Sequence, residues 1–237
     1  MPSSLRQRGA LFLLVLCLLG GVARSALAQE AWTDIDIGNP AIPGSMWTFS
    51  GIYMVTGVGE TMSADSDQLH FVYTRVSGNP DFSTCIEFTQ GPDPGLTVGV
   101  MVRESLDPGS RAVAALYSPA VGAFIQSRGA ARTYATTGNF TAASAPVCLR
   151  LVRAGDTFTA YMSTDRLGWV PIGTTRATLT DSTLVGMAVS SHSGYLKAQT
   201  TFSTVALSTT PFAPAAADGP STTPPAEPPT TLPDPHT

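Results

Sequence analysis

Hydrophobic and polar positions alternate most clearly between Cys148 and Gly173, in the stretch CLRLVRAGDTFTAYMSTDRLGWVPIG. Apolar side chains occupy alternate positions on both sides of a Gly/Asp turn at residues 154–156: Leu149, Leu151, Phe158, Ala160 and Met162. A second turn at residues 165–168 leads into a third short run. Alternation with a period of two, interrupted by such turns, is typical of neighbouring antiparallel strands with one buried face. The stretch therefore predicts a three-stranded meander.

Strand-like runs of similar length occur before and after this meander. They lie at Trp47–Phe49, Ile52–Val58, Leu69–Val76, Phe82–Thr89, Thr97–Glu104, Ala112–Ser118, Ala123–Arg128, Thr183–Ser191 and Thr200–Leu207. Turns rich in Gly, Pro and Asp separate many of these runs, whereas residues 32–45 have few strand signals. This pattern predicts an all-β fold, a two-sheet antiparallel β-sandwich of the jelly-roll kind. Residues 29–207 are enough for a single domain with a full core.

The first 28 residues have the pattern of a secretory signal peptide. Arg6 and Arg8 precede the apolar run Leu11–Leu19, and residues 26–28 (Ala-Leu-Ala) supply a cleavage site before Gln29. The apolar run is shorter than the roughly 20 residues of a membrane span. We expect a secreted chain, extracellular or periplasmic, with no membrane insertion after cleavage.

The composition and net charge do not indicate a nucleic-acid partner. Cleavage would change the formal net charge from −4 to −7, because residues 1–28 hold three arginines and no acidic residue. A mildly acidic chain has no electrostatic footprint for nucleic acid, so none is expected as a partner. From residue 208 to residue 237 the chain is rich in Pro, Thr and Ala, which predicts an extended, disordered tail.

Two cysteines, Cys85 and Cys148, would remain after cleavage, and each lies opposite the larger apolar side chains of its strand-like run. Export to an oxidising compartment makes a disulfide between them the natural expectation. Closing so long a loop would stabilise the fold by about 4 kcal/mol in the chain-entropy model. The alternative is two unrelated thiols, and a zinc site is disfavoured because the cysteines lack paired ligand spacing.

Five segments, in order, resemble the bacterial secreted DUF1349 family, also called "regulation of enolase protein 1-like". They are WTDIDIGNPAIPGS, DQLHFVY, VGVMVRES, the meander itself and VGMAVSSH. The resemblance implies a concanavalin A-like jelly roll, related to legume lectins and to accessory domains of glycosidases, with no activity assigned to most members. The chain departs from the family in carrying cysteine at positions 85 and 148, which strengthens the expectation of a disulfide.

No pattern of residues predicts catalysis. Glu60, Glu87 and Glu104 lack an acidic neighbour at alternate strand positions, the spacing that sets two carboxyl groups about 5 Å apart for retaining glycoside hydrolysis. His70 and His192 have no nucleophile elbow beside them and are interpreted as structural hydrogen-bonding groups. His192, near a strand end, is the better candidate for contact with a ligand. We expect no enzyme activity, and glycoside hydrolysis is kept only as a remote alternative.

Two Asp-x-Asp pairs admit two interpretations. Asp34/Asp36 and Asp65/Asp67 lie in loop-like segments and could supply oxygen ligands to calcium. The favoured interpretation is that these aspartates cap turns by accepting hydrogen bonds from local backbone amides. We therefore predict no metal and no cofactor, and the calcium question stays open.

A polar strand face is the remaining candidate for function. We expect this face to hold Arg103, Arg128, Arg150 and Tyr161. Alternation with a Cys85–Cys148 cross-link would place Glu87, Arg150 and Tyr161 on one sheet surface. Arginine and tyrosine combine planar hydrogen-bonding groups with a stacking ring, as sugar sites do. The competing interpretation is a structural Arg/Glu network.

We predict from these patterns a secreted, non-catalytic module that binds glycans weakly through these four residues and His192. The alternative is a structural or protein-interaction domain of the cell envelope, with an envelope protein as partner and the tail as spacer.

Overall fold

The computed structural model describes residues 32–60 and 62–209. They form the strands β1 (Thr33–Ile37), β2 (Ser45–Phe49), β3 (Ile52–Gly59), β4 (Leu69–Ser77), β5 (Asp81–Gln90), β6 (Thr97–Arg103), β7 (Ala112–Ser118), β8 (Gly122–Arg128), β9 (Thr136–Thr137), β10 (Val147–Ala154), β11 (Thr157–Ser163), β12 (Val170–Arg176), β13 (Ser182–Ser190) and β14 (Ser193–Ser208). The predicted signal peptide lies outside the described residues, as does the predicted tail beyond its first two residues.

The strands form two seven-stranded antiparallel sheets, which confirms the predicted sandwich. The front sheet has the order β1-β4-β13-β6-β7-β8-β9, and the back sheet has the order β12-β11-β10-β5-β14-β3-β2. The predicted meander is the β10–β11–β12 side of the back sheet. In the described part of the chain, no helix has the length and hydropathy of a membrane span.

Alternation along the strands gives each sheet one apolar face, and these two faces pack against each other. The back sheet contributes large side chains with no exposed area, including Phe82, Leu149, Phe158 and Phe202. The front sheet contributes mainly valines, among them Val100 and Val185. Burying one such side chain contributes about 1.5–3 kcal/mol, so this shared interior is the main source of stability.

The structure departs from the sequence pattern at two places. Residues 33–37, predicted as loop-like, form the edge strand β1, because all five pair with residues of β4. In the back sheet, a register shift pairs Thr201 with Phe88 and the next residue, Phe202, with Ile86. The intervening Glu87 has no paired residue in β14, and Phe88 is consequently turned to the outer face, where it is 50% exposed.

Cys85 and Cys148 form the predicted disulfide. They lie directly opposite each other on the antiparallel neighbours β5 and β10. Their neighbours Ile86 and Leu149 belong to the inter-sheet core, so the cross-link lies on the other face of the back sheet, as alternation predicted. A disulfide is typical of proteins from an oxidising compartment.

Candidate functional site

The outer face of the front sheet carries a second apolar cluster. Its fully or almost fully buried members include Leu69, Phe71, Met101, Leu116 and Leu184. Met62, from the connection between β3 and β4, belongs to the same cluster and is 4% exposed. We call residues 62–67 the covering segment, because they lie over one part of this face. A loop, and not a third sheet, therefore shields this smaller core from water.

Asp67, at the end of the covering segment, binds two buried arginines. Its carboxylate accepts hydrogen bonds from Arg103 Nη1 at 3.1 Å and from Arg128 Nη2 at 2.6 Å. All three residues are at most 2% exposed. Breaking a buried pair by removing one partner leaves an uncompensated charge, which is strongly destabilising. This cluster, the Asp67 clasp, therefore fastens the covering segment to β6 and β8.

The position of these arginines corrects part of the sequence-based expectation. Their remaining guanidinium donors are directed at backbone carbonyls: Arg103 donates to Ser105 and Asp107, and Arg128 donates to Ala64 and Thr133. Burial lowers the pKa of Arg103, and the Asp67 carboxylate opposes that shift. Both arginines hold loops together beneath the surface, so they are not part of an exposed polar face.

Arg150 and Tyr161 lie on the other sheet, so the expected common face with Arg103 and Arg128 is wrong. The Arg150 guanidinium makes two hydrogen bonds to Asp81, of 2.7 and 2.5 Å, which raise its pKa. Its central carbon lies 5.8 Å from the Tyr161 ring centre and 5.6 Å from that of Trp169, within cation–π range. Arg150 is thus held by one carboxylate and two rings, in line with the competing interpretation of a structural network.

An open groove of about 250 Å³ lies beside the covering segment on the outer face of the front sheet. One wall is aromatic: Phe124 of β8 and Phe140 of the segment between β9 and β10 meet edge to face, with ring centres 5.1 Å apart. Phe140 is 56% exposed. The polar residues lining the groove are Glu60, Ser63, Thr97, Ser118, Gln126, Thr137, Ser190 and His192. The groove thus offers a stacking surface together with amide, hydroxyl, carboxylate and imidazole groups.

His192 is the predicted ligand-contact residue that does line this groove. It lies in the link between β13 and β14 with a φ of +56°, a left-handed conformation in which histidine is enriched among non-glycine residues. Its Nδ1 lies 3.3 Å from Asp93 Oδ1, and the same carboxylate accepts a bond from the Gly95 backbone amide. The Gly95 amide and, secondarily, His192 lower the pKa of Asp93. Asp93 therefore orients the imidazole at the rim.

Three of the four aspartates considered for calcium have other partners. Asp34 and Asp36 lie on β1, where Asp36 Oδ1 is 2.7 Å from His70 Nδ1 and Asp34 Oδ2 is 3.2 Å from His70 Nε2. His70 is 2% exposed, which confirms it as a structural hydrogen-bonding group. Asp67 is committed to the clasp. Within residues 32–60 and 62–209, no group of three His, Cys, Asp or Glu side chains is arranged to hold a metal ion.

Two of the glutamates considered for hydrolysis are held apart by their strands and their partners. Glu87, on the back sheet, is 2.6 Å from Arg166 and accepts a hydrogen bond from Ser203. Glu104 directly follows β6 of the front sheet; it is 2.7 Å from Arg111 and accepts a bond from the Thr180 backbone amide. Neither of them lines the groove.

Sequence reasoning missed the aromatic wall and Gln126. Phe124, Gln126 and Arg128 alternate with Ala123 and Ile125, so a local signal for an aromatic and an amide on one face was present. The sequence pattern did not predict a role for Phe140, because this residue lies in the irregular segment between β9 and β10, where no alternation assigns it to a face. Only the fold brings that loop against β8.

Neither a family model nor a curated protein matches the chain, whereas several solved structures do. A functionally unknown protein from Saccharomyces cerevisiae aligns with a TM-score of 0.57 at 17% identity, over 76% of this chain and 96% of that one. The carbohydrate-binding module CBM66 from Bacillus subtilis aligns with a TM-score of 0.50 at 12% identity, over 76% and 96% of the two chains. At these identities the likeness concerns the fold alone. The chain has the concanavalin A-like β-sandwich fold, which it shares with this carbohydrate-binding module.

Proposed function

We propose that this protein is a non-catalytic glycan-binding module whose site is the groove between the covering segment and His192. The observation that carries the proposal is the pairing of one exposed aromatic ring, Phe140, which packs on the buried Phe124, with neutral and charged hydrogen-bonding groups in one concave surface. The apolar face of a sugar ring stacks on aromatic carbon, and its hydroxyls need planar donors and acceptors. The groove supplies both.

The size of the groove supports a short ligand. About 250 Å³ lies at or below the lower end of the range for small-molecule sites, so one or two sugar units fit the space better than a large ligand does. Gln126 donates from its side-chain amide to the carbonyl of Met62, which ties the floor of the groove to the covering segment. A groove built this way is preformed, and preformed sites lose less entropy on binding.

The absence of catalysis is part of the proposal. Glycoside hydrolysis by the usual mechanism needs two carboxyl groups on opposite sides of the scissile bond. Among the described residues that line the groove, Glu60 supplies the one carboxylate. A single carboxylate suits hydrogen bonding to sugar hydroxyls.

Secretion and membership in the DUF1349 family belong to the same proposal. The Cys85–Cys148 disulfide and the signal-peptide pattern of residues 1–28 support secretion. The five ordered segments and the concanavalin A-like fold support the family relationship.

A glycan array probed with the purified full-length secreted product tests the proposal, followed by calorimetric titration of the best oligosaccharide. We expect Phe140→Ala to weaken binding about tenfold, because one stacked ring contributes on the order of 1 kcal/mol beyond its buried area. Tyr134→Ala is the matched control, since Tyr134 is a 77% exposed aromatic in the neighbouring link between β8 and β9 and does not line the groove.

Two outcomes would overturn the proposal. One is a folded protein that binds no glycan above background, or binds equally well with and without the Phe140 ring. The other is turnover of chromogenic glycosides that is abolished by Glu60→Gln, which would make the module an enzyme.

A further inference from the structure

Four apolar side chains lie exposed together on the outer face of the back sheet. Trp47 is paired with Met54, Met54 with Thr201, and Thr201 with Phe88. Directly paired residues of an antiparallel sheet point to the same face, so these positions form a line across β2, β3, β14 and β5. Phe49 lies two residues beyond Trp47 on the same face. We call Trp47, Phe49, Met54 and Phe88 the aromatic row.

The aromatic row has the form of an extended platform. It crosses three strand spacings of about 4.8 Å, so it is roughly 14 Å long. The rings of Trp47 and Phe49 are nearly parallel, with 18° between their planes and 5.9 Å between their centres. Their side chains are 57% and 68% exposed. Exposed apolar side chains at both ends of this line, the Trp47–Phe49 ring pair and Phe88, fit a ligand long enough to reach from β2 to β5.

A line of neutral polar residues runs beside the aromatic row. Ser45 is paired with Thr56, Thr56 with Gln199, and Gln199 with Gln90, two residues along each strand from the aromatic row. We call these four residues the amide row. Thr56, Gln90 and Gln199 line a groove of about 390 Å³, in which Lys197 is the one charged residue among the described lining residues. Hydroxyls and amides therefore follow the rings along their whole length.

A backbone irregularity places Phe88 in this line. The register shift at Glu87 turns Phe88 away from the core face that Phe82 and Ile86 occupy. Leaving a phenylalanine half exposed gives up part of the stabilisation that its full burial would contribute. Contiguous exposed apolar groups rimmed by polar residues mark binding surfaces.

We propose that the aromatic and amide rows together bind a neutral, linear polysaccharide chain that lies across β2, β3, β14 and β5. Neither row contains a charged residue, so the surface matches an uncharged polymer and not an anionic membrane. A protein interface of usual size involves about 20–30 residues on each side, far more than these eight. Stacking rings beside amides and hydroxyls recognise sugar faces and sugar hydroxyls at once. This surface is on the opposite sheet from the groove and does not depend on it.

Sedimentation of the full-length secreted protein with insoluble polymers tests this proposal, with microcrystalline cellulose, insoluble xylan and chitin as separate probes. We expect at least one polymer to retain the wild type, and the double variant Trp47→Ala/Phe88→Ala to lower the partition coefficient at least tenfold. Retention should persist in about 1 M NaCl, because no ion pair contributes. Should the double variant unfold, the single variant Trp47→Ala carries the test.

Two control variants check that retention depends on the two rows and not on exposed apolar groups elsewhere. Leu167→Ala/Val170→Ala removes exposed apolar side chains from the β12 side of the molecule and should leave retention unchanged. Phe140→Ala should also leave polymer retention unchanged, because Phe140 belongs to the front-sheet groove. The glycan-binding proposal for the groove and the polymer-binding proposal for the two rows can therefore fail independently.

Three results would overturn the proposal. They are no retention of the wild type by any of the three polymers, equal retention of the wild type and the double variant, and a concentration-dependent dimer that the double variant abolishes. The last result would make the aromatic row a contact between copies of this chain.

Discussion

Asp67 and Arg128, separated by 61 residues in sequence, are joined by hydrogen bonds of 2.6 and 3.0 Å in a buried site. This contact fixes the covering segment against β8, and Arg128 lies two residues from Gln126 on the same face of that strand. Gln126 lines the groove. The fold therefore uses a buried ion pair to set the edge of its candidate binding surface.

Removing the Asp67 carboxylate should destabilise the protein strongly. Asp67→Ala leaves Arg103 and Arg128 without their shared anion, and we expect a loss of about 3–5 kcal/mol in the free energy of unfolding, measured in urea. Arg132→Ala breaks the exposed pair with Asp107 and should cost less than about 1 kcal/mol. Similar losses for the two variants would contradict the clasp.

Removing the disulfide should also destabilise the protein. The sequence separation of Cys85 and Cys148 is 63 residues, and the chain-entropy model gives about 4 kcal/mol for a cross-link of that span. We expect Cys85→Ala/Cys148→Ala to lower the unfolding midpoint in urea accordingly. Intact mass after alkylation, with and without reductant, checks that the wild type is cross-linked. An unreduced protein that takes up alkylating reagent at both cysteines would refute the pairing.

Substitution of Gly95 should affect ligand binding more than stability. A Cβ at this position would lie 2.8 Å from His192 Nδ1 and 3.0 Å from Asp93 Oδ1, so the half-exposed imidazole must move. We expect Gly95→Ala to weaken binding of the array-selected oligosaccharide severalfold, with a change in stability below about 1 kcal/mol, since the displaced group is the end of a mobile side chain.

Gly129→Ala is the control for that experiment, because a Cβ there meets no atom within 4 Å. Equal affinities of the Gly95→Ala and Gly129→Ala variants would show that the position of His192 does not matter for the groove.

Acid should release His192 from its partner. The pKa of Asp93 is below its usual 3.8, because the charged form accepts the Gly95 amide and faces His192. A carboxylate with a lowered pKa contributes fully above the unfolded value and loses its contribution as pH falls through the folded value. The difference in unfolding midpoint between wild type and Asp93→Asn should thus be constant above about pH 4 and shrink below it.

Asp165 provides the comparison for the acid experiment. The backbone amides of Gly168 and Leu167 lower the pKa of Asp165 as well, but it does not line the groove. Asp165→Asn should therefore leave oligosaccharide affinity unchanged at neutral pH, whereas Asp93→Asn should reduce it. The reverse order would argue against Asp93 as the residue that positions His192.

Most of the strands, the meander and the sandwich class were predictable from local patterns, because side-chain alternation is a property that each strand expresses alone; the edge strand β1 and the short β9 were not. The disulfide was also predictable, since Cys85 and Cys148 are the two cysteines of the folded region. Alternation failed at Phe88, because a register shift depends on the partner strand β14 and leaves no mark in β5 itself.

Which polar residues meet depends on the strand order of the folded chain. Alternation assigns a side chain to one face of its own strand, but the order of strands assigns that strand to a sheet. Arg103 on β6 and Arg150 on β10 consequently lie on different sheets, although their local patterns look alike. The clasp and the groove likewise join loops to strands far apart in sequence, so long-range pairing, which no local pattern encodes, created both.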